Sequence, residues 1–166
     1  NEQATLALYR IGTKDCHPAF AAWEATTNFP IFSPVDLPNV DIRWPRHCVT
    51  GTVGHQLLNG LPDPVDYDFF VYKGIEPDLH PYGACYHDLA NRQSTGLIEW
   101  LLTHQVELVI VGGLATDYCV ATTAKQLRNT GFFEVVVNLK ACRGVAPDTV
   151  AKAVAEMKEL DIHILE

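Results

Sequence analysis

Cys119 lies in the stretch GGLATDYCVATTA, two residues past Asp117, where an apolar run gives way to a helical pattern. With Thr116 as helix cap, the thiol falls in the first helical turn. Backbone N–H groups without an intrahelical partner and the positive end of the helix dipole surround it there. That setting favours the thiolate, the attacking form of cysteine, and the same N–H groups suit an oxyanion. A small apolar core residue is the competing reading of Cys119. Lys73 closes the run DFFVY. A cation beside a thiol lowers its pKa, whereas a solvated strand-end lysine is the plainer reading of Lys73.

A second set of chemically capable residues has the spacing of a metal site. Asp15 and His17 alternate in TKDCHP, and His47 follows in WPRHCV. Alternate side chains of an extended segment point the same way, so Asp15 and His17 can reach one ion. A carboxylate with two imidazoles suits zinc, or else iron or manganese, and leaves positions open for water or substrate. The competing reading is a turn-forming aspartate and ordinary loop histidines. His55, His80, His87, His104 and His163 show no such spacing, and His55 and His104 read as helix surface or helix end.

The elements that must carry these residues alternate between strand and helix. TLALYRIGT reads as a strand ending before Lys14 and Asp15, VGHQLLNGL as a short helix and YDFFVYKG as a strand. STGLIEWLLTHQ is a helix capped by Ser94 or Thr95, and VELVIVGGL is an apolar strand covered on both faces. TDYCVATTAKQLRNTG is a helix, FFEVVVNLKA a strand, APDTVAKAVAEMKEL a helix with Pro147 in its first turn, and DIHILE a last strand. Such alternation implies an α/β fold of three layers, αβα, with a mostly parallel central sheet. Ligands bind beyond the carboxyl ends of the strands in such sheets. Asp15 and His17, Lys73, and the Leu114–Cys119 turn all stand at such ends.

The chain of 166 residues is expected to form one domain, 1–166, with 48% hydrophobic and 19% charged residues. No apolar run approaches the roughly 20 residues that span a bilayer. A net charge of -8 without a basic cluster argues against nucleic acid as a partner. Five cysteines, an odd set with no CxxC pair, fit reduced thiols in a cytoplasmic protein. The expected partner is a small-molecule substrate, with no membrane, and a homo-oligomer is left open.

In order, TKDCHP, WPRHCVTGTVG, FVYKG and VGGLATDYCVATTA resemble the motifs of the nicotinamidases (pyrazinamidases), the metal-binding branch of the isochorismatase-like cysteine hydrolases. The resemblance runs from about residue 11 to the C-terminus. It implies that Cys119 attacks the carboxamide carbon of nicotinamide, or of pyrazinamide, with Lys73 as the active-site lysine. It also implies a cis peptide at Leu114–Ala115, an oxyanion site from the Ala115 and Cys119 N–H groups, and Leu114 on the substrate side. Asp15, His17 and His47 would hold one divalent metal, zinc first, which binds the pyridine nitrogen. Trp44 and Tyr82 would wall the ring. The implied setting is NAD salvage.

The chain departs from that pattern twice. No segment carries the family's V-D-x-Q type strand with its general-base aspartate, so the N-terminal strand of the sheet and the catalytic aspartate are expected to be absent from it. The segment after the D-x-H pair, HPAFAAWEA, lacks the further histidine of the family, which leaves Glu24 or a residue outside this chain as a fourth ligand. Two other functions therefore stay open: a non-catalytic metal- or ligand-binding relative, and a metal-free amidohydrolase of the same superfamily.

Overall fold

The β-branched and aromatic runs read as strands do form strands, and they pair in parallel. In the computed structural model, which describes residues 2–166, the order is α1 (Glu2–Leu6), β1 (Ile11–Asp15), β2 (Pro34–Leu37), β3 (Val40–Ile42), β4 (Phe69–Lys73), α2 (Leu97–Thr103), β5 (Leu108–Leu114), α3 (Ala121–Asn129), β6 (Glu134–Arg143), α4 (Pro147–Glu159) and β7 (His163–Leu165). The α/β class with mostly parallel pairing is as expected. The chain forms two compact units, one running through Pro81 with Tyr86–Thr95 added, the other made of Tyr82–Cys85 and Gly96–Glu166.

In the first unit β1 pairs in parallel with β4, Asp15 opposite Lys73. A Cβ at Gly12 would come 2.2 Å from the Phe70 ring, so the glycine admits its cross-strand partner's side chain. β2 and β3 form an antiparallel hairpin within residues 16–51, a stretch rich in Pro and Asn whose sequence reads as irregular. The buried core of this unit includes Trp23, Val40, Val49, Val71 and Leu79.

In the second unit β5, β6 and β7 form a parallel sheet in that order. Among the described residues β1 is paired along one edge, with β4, and β5 along one edge, with β6. The register slips where Val111 and Gly113 of β5 face Val137 and Cys142 of β6, and Gly113 sits at φ +135°, open to glycine and rarely to other residues. Val135, Val137, Ala124, Leu127, Phe133 and Met157 are fully buried and form the core between helices and sheet.

Several elements differ from the sequence reading. TLALYRIGT is not one strand, since its start forms α1 and β1 begins only at Ile11. VGHQLLNGL yields a single 3-10 turn, Val53–His55. Neither Ser94 nor Thr95 caps α2, because Gly96 occupies the cap with φ 85°. β5 is only partly covered, with Leu108 and Leu114 exposed. No helix among the described residues is long and apolar enough to cross a membrane.

Candidate active site

The end of β1 delivers Asp15 and His17, and backbone hydrogen bonds draw the other segments of the first unit to it. The Cys16 N–H donates to Lys73 O (2.8 Å), the His17 N–H to Cys48 O (3.0 Å) and the Thr50 N–H to His17 O (2.9 Å). This brief parallel pairing brings His47 alongside His17, with ring centroids 4.7 Å apart. A second short pairing joins Glu24 to Trp44, with the Trp44 N–H donating to Trp23 O (3.0 Å). His80, in the loop after β4, is held by its N–H to Asn39 O (3.0 Å) in the β2–β3 turn.

The result is a cluster of three imidazoles. One ligand nitrogen from each of His17, His47 and His80 lies within 4.8 Å of the others. Trp23, with no exposed surface, touches His17 at 4.6 Å and His80 at 4.5 Å between ring centroids, both edge-on. The Trp44 ring stacks on His80 at 5.8 Å and 16°. His17 Nδ1–H donates to Gly74 O (2.9 Å) and His47 Nδ1–H to Pro45 O (2.6 Å), which turns Nε2 of each ring toward the cluster. His17 Nε2 is buried without a hydrogen-bond partner among the described residues. Burial pushes His17 down to about 4, against the pull of Asp15, and His80 down to about 3. Both rings are therefore neutral at pH 7, the form that binds cations. Three convergent imidazoles with an orphaned nitrogen fit a divalent metal of the zinc type.

Of the sequence-derived ligands, His17 and His47 belong to this cluster. Asp15 lies beside it, and its Oδ1 accepts a hydrogen bond from Lys73 Nζ. Burial raises the Asp15 pKa, but the Lys73 charge and hydrogen bond outweigh it and the carboxyl is held below the usual range, with His17 and His47 adding to the effect. Lys73 is 3% exposed, so the solvated strand-end reading does not hold; its Nζ also donates to Pro81 O (3.1 Å). Glu24 faces Arg46, with 4.0 Å between Oε1 and Nε. His80 was passed over in the sequence. Its one local signal is the Pro that follows, as at His17–Pro18, which favours extended backbone.

The second unit carries the nucleophile turn. The peptide bond Leu114–Ala115 is cis. Thr116 does not cap a helix; it is buried, and Thr116–Val120 form a π-helical turn that runs into α3. Ala115 O accepts from the Tyr118 N–H (3.2 Å) and, five residues on, the Val120 N–H (3.0 Å). Cys119 is partly accessible within this turn, whereas Cys85 and Cys142 are buried. Burial pushes the Cys85 thiol up to about 12. Tyr82 sits beside the turn, its ring 5.4 Å from that of Tyr118. Two bonds dock its segment on α3, from the Ala84 N–H to Thr123 Oγ1 (3.0 Å) and from the Cys85 N–H to Gln126 Oε1 (3.2 Å).

Asp117 ties the turn to the start of α4. Its carboxylate accepts from the Val145 N–H (3.0 Å), the Ala146 N–H (3.3 Å) and Thr149 Oγ1–H (2.5 Å). Burial opposes ionisation, but these donors outweigh it and hold the carboxyl below its ordinary value. A carboxylate two residues from the cysteine is thus taken up by the segment that enters α4.

Comparison with known proteins gives one direction. The isochorismatase domain model matches residues 18–165. The nicotinamidase of Escherichia coli (strain K12) is 35% identical over 151 residues, 89% of this chain and 70% of its own length. The chain spans between 59% and 70% of the length of three curated nicotinamidases. Among solved structures, a nicotinamidase/pyrazinamidase of Acinetobacter baumanii superposes with a TM-score of 0.90 at 25% identity, covering 99% of this chain and 80% of that one. The pyrazinamidase of Pyrococcus horikoshii in complex with zinc gives 0.72 at 28% identity, covering 94% and 74%.

Proposed function

The chain belongs to the isochorismatase domain family, and from that footing we propose that it is a nicotinamidase, hydrolysing the carboxamide of nicotinamide, and of pyrazinamide, to the acid and ammonia. The observation that carries the reading is the survival, in one chain similar to curated nicotinamidases, of both the ATDYC turn and a buried cluster of metal-binding imidazoles. A planar, neutral aromatic amide offers a ring nitrogen at one end and a poor electrophile at the other. It therefore needs a fixed grip and an activated nucleophile.

Cys119 Sγ attacks the carboxamide carbon, and the Ala115 and Cys119 N–H groups stabilise the oxyanion. The C–N bond breaks, the amine nitrogen takes a proton and ammonia leaves. Water then cleaves the thioester, releasing the carboxylate and restoring the thiol. Lys73, buried and charged, is the active-site lysine. Trp44 and Tyr82 wall the ring, and Leu114 lies on the substrate side. Asp15, His17 and His47 are the residues that would hold a divalent metal, zinc first, which would supply the attachment for the pyridine nitrogen. The setting is cytoplasmic NAD salvage.

The test is ammonia release from nicotinamide, with and without chelator, by the protein and by Cys119→Ala. Expected is turnover that chelator suppresses and the substitution abolishes. Metal binding without ammonia release would instead establish a non-catalytic relative.

A further inference from the structure

We propose that His80 is a ligand of the metal, supplying the centre's third imidazole from the loop that follows Lys73. The inference rests on the metal-dependent reading above and extends it to a residue outside the D-x-H and W-P-x-H motifs.

The geometry commits His80 to the cluster. It is 4% exposed, and its ring lies nearly parallel to that of His17, 5.3 Å away at 19°, and 5.9 Å from that of His47. Trp23 packs edge-on against it and Trp44 packs face-on, so two indoles fix its plane. Zinc–nitrogen bonds of 2.0–2.1 Å in a tetrahedron set ligand nitrogens roughly 3.4 Å apart. The present spread, within 4.8 Å, needs only small side-chain rotations to close. Three neutral imidazoles would leave a fourth position for substrate.

The segment after the D-x-H pair cannot supply this group. Residues 18–24 read PAFAAWE, with no imidazole. Trp23 instead fills the space against His17, His47 and His80, and Glu24 turns to Arg46. His80 brings its imidazole from a different loop, the one that follows β4.

That origin has a consequence for Lys73. The loop 74–81 begins with Gly74, whose carbonyl accepts from His17 Nδ1–H, and ends with Pro81, whose carbonyl accepts from Lys73 Nζ. With His80 as a ligand, the metal fastens both ends of the loop that holds the buried lysine. Loss of metal then loosens the Lys73 site as well as the cluster.

The experiment uses the full chain with zinc as the probe. Zinc affinity is measured by competition with a chromophoric chelator for the protein, His80→Asn, His80→Ala and the exposed-histidine control His163→Ala. Expected is a loss of at least about 100-fold for both His80 variants, beyond the 10–100-fold typical of supporting residues, and none for the control. Hydrogen exchange of residues 74–81 should slow on zinc addition in the parent and not in His80→Asn. Should the variants fail to fold, X-ray absorption on the zinc-loaded parent counts imidazoles directly: three are expected. Two imidazoles, wild-type zinc affinity in His80→Asn, or a parent that binds no zinc would overturn the inference. None of these readouts needs turnover. Zinc held through His80 without ammonia release would leave this inference standing and sink the amidase reading alone.

Discussion

Gly74→Ala tests the support of the cluster without removing any ligand. Gly74 has φ +73°. Holding an alanine there costs roughly 1–2 kcal/mol. The added methyl would also lie 2.5 Å from His17 Cε1 and 2.6 Å from Nδ1, so the ring must retreat by about 1 Å to regain van der Waals contact. That retreat breaks the hydrogen bond from Nδ1–H to the Gly74 carbonyl, worth about 1 kcal/mol. The substitution should therefore destabilise the metal-free protein by roughly 2–3 kcal/mol in urea unfolding. A mis-set ligand histidine typically lowers metal affinity 10–100-fold, so zinc competition should show a loss in that range. In a His17→Ala background the clash and the bond are already gone, and Gly74→Ala should cost only the backbone term, roughly 1–2 kcal/mol. Zinc affinity unchanged in Gly74→Ala, or an equal stability loss in both backgrounds, would refute the geometry.

Other substitutions separate the remaining groups. Cys119→Ala should abolish ammonia release while changing urea stability by less than about 1 kcal/mol, since the thiol is partly accessible. Lys73→Ala should destabilise by about 3 kcal/mol by leaving the Asp15 carboxylate uncompensated; the low end of the range applies because 21% of that side chain stays accessible. Asp117→Asn should cost about 2 kcal/mol at pH 7 and flatten the acid limb of stability. The Asp117 pKa is depressed in the folded state, so its contribution is complete above the unfolded value near 4 and fades as pH falls through the lower folded value. Urea midpoints between pH 2 and 6 would show the parent losing more than the variant. Chelator should lower the melting temperature of the parent, and added zinc should restore it, in line with binding to the native state alone.

Most of the fold was legible because its signals are local. Val135, Val136 and Val137 in β6, and Val109, Ile110 and Val111 in β5, announce parallel strands. Pro147 opens α4 where a proline costs nothing. The misreadings fall where tertiary placement overrides such signals. Thr116 looks like a cap, but it is buried as the first residue of a π-helical turn that no residue preference encodes. TLALYRIGT reads as one strand, yet Thr5 and Leu6 close the short helix α1 and β1 begins only at Ile11. His17 and His47 stand in recognisable motifs. His80 does not, because its approach is set by the hydrogen bond to Asn39 in a hairpin that was itself not foreseen.

Asp15 shows why residue types alone could not assign every role in the cluster. A carboxylate spaced two residues from a histidine is a metal ligand by pattern, and a carboxylate opposite a lysine in a parallel strand pair is a counter-ion by register. The structure shows the second geometry, with Asp15 beside the three imidazoles rather than among them. One oxygen takes the Lys73 ammonium, which favours the charged carboxylate. An anion lodged between a buried ammonium and a cation site stabilises both, so removing either positive neighbour weakens the case for the other. The lysine and the metal cluster are thereby coupled through Asp15 as well as through the loop that ends at His80 and Pro81. Lys73 keeps its two direct partners, Asp15 Oδ1 and Pro81 O, whether or not the cluster is filled, so the coupling runs through the placement of Asp15 and of the loop.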